Sequence, residues 1–261
     1  MNRVGALALN TFREAVRNKV LYVLLLFAVA LIGFTERLGQ MSLHEELRVT
    51  RDLGLGGIEL FGVLIAIFVG VNLVYKELDK KTVFSLIPKP IHRFEFILGK
   101  FAGMVLTLAV QIAIMSVVLF AMLLIQGGGI EGPVVRAIAL LFVEVMVITA
   151  LAVMFSSFST PILSGAFTLA LFVIGRSTPE LHELIAKLSS LPRAILGALV
   201  RVVPDLHVFY VSGSMVDGQY TTVHADYVDW TYVASGTAYG LCYAACALVL
   251  AILLFSRRDF I

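Results

Sequence analysis

VRAIALLFVEVMVITALAVMFSSF, residues Val135 to Phe158, decides the fold. Its only charges are Arg136 near the start and Glu144 near the middle. A bilayer core about 30 Å thick asks for roughly 20 apolar helical residues per crossing, and this run supplies them. Five runs of the same character surround it: Val20 to Phe34, Ile58 to Tyr75, Phe101 to Ile125, Pro161 to Gly175 and Ala234 to Phe255. The chain of 261 residues is 59% hydrophobic and 15% charged, with a mean hydropathy of +0.95, too apolar for a soluble domain beside the spans. The pattern predicts an all-α polytopic membrane protein, residues 1–261 forming one transmembrane domain of six helices. The first and fifth runs are short for a crossing, so they are expected to borrow flanking residues, with Lys19 and Arg176 snorkelling to the interface.

Lysine and arginine set the orientation. Four precede the first run, six lie between Lys76 and Lys100, and two follow the last run at Arg257 and Arg258, twelve of the twenty in the chain. These segments are expected in the cytoplasm, with both termini. Glu36 to Gly57, Gly127 to Pro133 and Arg176 to Val233 then face outward. In the entry segment 1–19 and at its edge, Leu9, Phe12, Val16 and Val20 repeat at helical spacing opposite Arg13 and Arg17, as in a helix lying in the membrane plane. The basic residues and the lack of a small-residue cleavage site argue against a removable signal. Ser159 or Thr160 can cap a helix with Pro161 in its first turn, giving a tight cytoplasmic hairpin. In the outer segment 176–233, Pro179 and Pro192 each open a short amphipathic stretch expected to rest on the outer leaflet. Tyr210, Tyr220, Tyr227 and Trp230 suit an interfacial belt.

Several function classes fall away. A net charge of +2 spread over short loops does not suit nucleic acid. Cys242 and Cys246 lie four apart in an apolar run and read as small hydrophobes. His182 and Glu183 begin like a zinc-protease motif, but Ala186 stands where the second ligand belongs, and His44 has no nearby second His or Cys, so no metal site is expected.

The cytoplasmic segment 76–100, KELDKKTVFSLIPKPIHRFEFILGK, is too apolar for a solvated loop: Val83, Phe84, Leu86, Ile87, Phe94, Phe96 and Ile97 need burial, which points to a docking partner. Topology and anionic headgroups of membrane lipid account for its basic residues but not for its aromatics. Glu77, Lys81, Thr82, Lys89, Pro90, Arg93, Glu95 and Phe96, with Gly99 and Lys100, resemble the first cytoplasmic loop of ATP-binding-cassette (ABC) transporter permeases of the exporter-like class that includes sodium-efflux and gliding-motility permeases. Phe255, Arg257, Arg258, Asp259 and Phe260 resemble that family's ending. The resemblance implies two permease copies in a bacterial inner membrane, as a homodimer or related heterodimer, driven by separate ABC ATPase subunits that press on the loop. No G-x-x-x-x-G-K-[ST] phosphate loop occurs in the chain, so ATP and Mg are expected on the partner and no catalytic residue on this subunit.

Within the membrane, Glu144 costs about 2.5 to 3.5 kcal/mol on the insertion scale, against about 2 to 4 kcal/mol returned by its apolar neighbours. It is therefore tolerated, facing protein or water, either on a pathway or in a hydrogen bond to Gln111 or Asn72. Gly62, Ala66 and Gly70, and again Gly236, Gly240 and Ala244, form small-residue stripes expected to pack helices within the chain. Two other functions compete with the permease: a scaffold passing ATPase motion to an extracytoplasmic partner, and an ion-coupled secondary transporter, which needs more intramembrane charge than Glu144 alone.

Overall fold

The computed structural model describes residues 3–39, 46–79, 92–129, 131–187, 203–210 and 229–256, with short pieces at 196–197, 200, 214–216 and 219–221. The amphipathic helix α1 (Arg3–Val16) turns through 67° into α2 (Lys19–Gly39). Asn18 makes the corner, its side-chain oxygen accepting the Val20 N–H at 3.1 Å and so satisfying a free donor at the start of α2. Then come α3 (Glu46–Asp79), α4 (Arg93–Ile125), α5 (Gly132–Ser156), α6 (Pro161–Arg176) and α7 (Thr178–Ala186), a 3-10 turn (Leu206–Phe209), strands β1 (Ser214–Val216) and β2 (Gln219–Thr221), and α8 (Trp230–Ser256).

Four stretches are long and apolar enough to cross a membrane unaided: Leu47–Val71 in α3, Phe94–Ile125 in α4, the whole of α5, and Trp230–Phe255 in α8. Counting the bent pairs α1–α2 and α6–α7 as one span each brings the number to six. The all-α polytopic class therefore holds. The one departure among the described residues is the antiparallel hairpin β1–β2, which pairs Met215 with Tyr220 in the outer segment.

Helix α5 is the axis of the bundle. The apolar windows of α3 and α5 are 67% buried, against 39% for α4 and 33% for α8. Large apolar side chains on the outer helices, such as Val23, Leu26 and Phe27 of α2 and Val249, Leu250 and Leu253 of α8, stand exposed in the isolated chain, where lipid is their natural solvent. Both small-residue stripes face α5: a side-chain carbon at Gly70 would lie 2.6 Å from Ala152 Cβ, and one at Gly240 would lie 2.4 Å from Val143. Intrachain packing is thus their use.

Helix α1 lies on the start of α4 through Leu7, Ala8 and Thr11. Gly99 and Gly103 make room for it, since a Cβ at Gly103 would sit 2.5 Å from the Ala8 carbonyl oxygen. Thr11 and Ala15 are buried in this contact while Leu9, Val16 and Val20 point outward, leaving the apolar stripe free for lipid.

Two expectations need correction, and one segment takes an unexpected course. Helix α3 begins well before Ile58, so residues 46–57 are membrane helix rather than outer loop. Thr160 occupies the N-cap of α6, but its hydroxyl makes no capping bond. Beyond the stretches expected on the leaflet, of which α7 turns 68° away from α6 and the one opened by Pro192 lies mostly outside the described residues, residues 203–210 fold back into the bundle. Leu206 and Phe209 are fully buried there. The Asp205 N–H donates to Tyr239 Oη at 2.9 Å, and Tyr232 Oη donates to the Val208 carbonyl at 2.7 Å.

Candidate functional site

Helices α3 and α5 run parallel, Gly62 facing Val145 and Gly70 facing Ala152. Each carries an acid at mid-span: Glu59 is the thirteenth residue of the 25-residue stretch Leu47–Val71, and Glu144 the thirteenth of the 25-residue α5. The cation comes from α6, whose 16 residues reach only about 24 Å, so the helix ends inside the bundle with Arg176 as its last residue. A cation there also suits the negative end of the helix dipole.

Arg176 binds Glu59 with both ends of its fork. Nη2 donates to Oε2 at 3.0 Å, and Nη1 lies 2.9 Å from Oε1. Nη1 is also 3.8 Å from Glu144 Oε1, and it is aligned for a hydrogen bond with neither carboxylate. The guanidinium carbon sits 3.4 Å from the centre of the Tyr210 ring, a cation–π contact supplied by the returning segment. Gly175 permits this return: the Pro204 carbonyl oxygen would lie 2.5 Å from a Cβ at that position. Glu144 is completely buried, and neither of its carboxylate oxygens finds a hydrogen-bond donor among the described residues. A cavity of about 10 Å³, room for one water, lies beside Glu59, Phe209 and Tyr210.

The expected hydrogen bond from Glu144 to Gln111 does not form; Gln111 Oε1 has no described partner either. Asn72 falls on α3 with its side chain outside the described residues. Arg176 does not snorkel, because its ion pairs turn it inward. Glu59, unremarked in the sequence, carried the same signal as Glu144, a lone acid among apolar residues.

At the other end of the bundle, Lys81, Thr82, Lys89 and Pro90 lie outside the described residues, as do the side chains of Glu77 and Arg93. Glu95 accepts the His92 N–H at 3.1 Å and lies 3.8 Å from Arg3 of α1. Phe96 is buried and stacks on Phe255 of α8 with centroids 5.9 Å apart. Ile97 is buried too, whereas Phe94 remains 47% exposed, so the bundle itself absorbs part of the apolar content that suggested a docking partner. Lys100 is buried beneath α1 with Nζ 3.5 Å from Glu14 Oε2, which makes Gly99 and Lys100 the seat of α1. The tail Arg257, Arg258, Asp259 and Phe260 lies outside the described residues. Cys242 and Cys246 are free thiols on α8, and no group of three His, Cys, Asp or Glu able to hold a metal occurs among the described residues.

No curated protein matches the chain. The family described as ABC-2 family transporter protein matches residues 6–260, from α1 through α8 into the tail. With that match, and with the helical membrane architecture, the chain belongs to the ABC-2 transporter family, as a permease component of an ABC transporter.

Proposed function

We propose that the chain is the membrane half of an ATP-driven exporter: two copies form the path, separate ABC ATPases bind at the cytoplasmic side, and segment 76–100 receives their motion. The observation that carries this reading is the length of α3. It continues to Asp79, eight residues or about 12 Å beyond the apolar span that ends at Val71. That extension carries the chain past the apolar span, on the side where the reading places a soluble subunit. The far end of segment 76–100 returns into α4, which is fixed to α1 through Gly99, Gly103 and Lys100, so a push on the segment moves a braced pair of helices. ATP and Mg belong to the ATPase in this reading. Both termini lie in the cytoplasm of a cell whose inner membrane holds the complex.

The test is to purify the tagged chain in mild detergent and ask by mass spectrometry whether an ABC ATPase accompanies it in about equal amount. Arg93→Glu should reduce that association and the stimulation of ATPase activity while leaving the level of permease in the membrane unchanged. Equal association and stimulation in the variant would remove segment 76–100 from the coupling role.

The return of 203–210 to mid-span favours one second reading, a scaffold that passes ATPase motion to an extracytoplasmic partner. In that case the reconstituted complex would hydrolyse ATP under control of the outer partner without moving a solute.

A further inference from the structure

The mid-span cluster is unbalanced. Among the described residues it holds two acids, Glu59 and Glu144, and one cation, Arg176, in an interior where an unpaired charge is costly. Among the described residues, the other ionisable groups near it do not supply a second cation. The turn contributes Tyr210, against the guanidinium, and His207, which feels the charges of Asp205, Arg176 and Glu180 of α7. Burial holds the His207 imidazole below its usual range, which favours its neutral form. From α8 comes Tyr239, whose hydroxyl accepts the Asp205 N–H. Arg51 of α3 is engaged with Glu131, the residue before α5.

We propose that Glu59, Glu144 and Arg176 form a binding site for one proton per permease copy. The proton resides on the carboxyl that Arg176 does not hold. In this structure Arg176 holds Glu59, so Glu144 carries it, consistent with a fully buried carboxyl that has no described donor. Nη1 lies 3.8 Å from Glu144 and is committed to neither acid by a hydrogen bond, so a shift of about 1 Å would let Arg176 change partners. The proton then passes to Glu59, and the cluster stays neutral in both positions. Arg176 ends α6 at the 68° break, so the exchange moves the corner that carries α7 and the turn. The site depends on this chain alone and not on its ATPase.

The test is infrared difference spectroscopy of the full-length permease, purified without ATPase and held in lipid nanodiscs at neutral pH, following the C=O stretch of protonated carboxyl groups and its shift in D₂O. One buried protonated carboxyl is expected in the native chain. Glu144→Gln and Glu59→Gln should each abolish it, because the acid that remains pairs with Arg176 as carboxylate. Arg176→Gln should raise the signal about twofold, since both acids then need a proton. The exposed-residue control Glu183→Gln should leave the band unchanged. A native chain without the band, or a band that survives in both single-acid variants, overturns the proposal. The three variants differ in what they remove, so failure of one to fold leaves the other two to decide.

Discussion

At His207 a single imidazole reports on the turn that closes the mid-span cluster. Burial lowers its proton affinity, Arg176 adds to the effect, and Asp205 and Glu180 oppose it. The unfolded turn therefore binds more protons than the folded turn just below the ordinary histidine range near 6.5. Stability from this residue is complete above that range and is lost as pH falls through the lowered folded value. Amide exchange followed by mass spectrometry should accordingly show the protection factors of residues 206–210, each rate divided by the intrinsic rate at that pH, falling as the permease is acidified from neutral pH, and His207→Gln should flatten the dependence. Protection that rises on acidification would mean that the imidazole gains a partner on protonation, contrary to its surroundings here.

Among the elements, α1 offers a clean steric test. A side chain at Gly103 meets the Ala8 carbonyl oxygen and Thr11, and a backbone atom cannot move aside as a flexible side chain can. Gly103→Val should therefore lift α1 from α4 at a cost of about 1 to 3 kcal/mol, read as faster proteolysis near the N-terminus. Gly5→Ala, with open space around it, should not increase cleavage and should stabilise the helix slightly. The seat of α1 was only half legible in sequence. Amphipathic spacing revealed the helix, but Gly99 and Lys100 read as part of a docking loop, because periodicity does not say which neighbour a helix will meet. Helix α3 was misjudged for a related reason. Gly54, Gly56 and Gly57 look like a loop by propensity, yet Gly54 packs against Leu119 and Gly57 against Leu31, and tertiary contact outweighs the local penalty. That shift of the helix start carried Glu59 from the edge of an apolar run to its centre. Glu144 was found because its run had been placed correctly. Arg176 was misread because a cation just after an apolar run normally marks the interface, and nothing local announces that residues 203–210 come back to cover it.

For the molecule as a whole, α5 is mostly covered by its own chain, so under the proposed function a second copy meets the outer helices. Native mass measurement of the detergent-solubilised complex should give two permease chains with two ATPases; a stable species with one permease chain would argue against a paired pathway. The mid-span cluster also constrains how such a protein can be made. Glu59 and Arg176 are 117 residues apart, and Glu144 lies between them in the order of synthesis. At about 5 to 20 residues per second, the ribosome delivers Arg176 roughly 6 to 23 s after Glu59. Glu59 waits through the whole of that interval and Glu144 through its end, roughly 2 to 6 s, without their cation, and Tyr210, which caps the site, has not yet been translated. The membrane insertion machinery must therefore tolerate two orphaned carboxyls for seconds. A pause, a truncation or a stop codon before Arg176 would present to quality control a fragment that is hydrophobic enough to enter the bilayer yet unable to settle there.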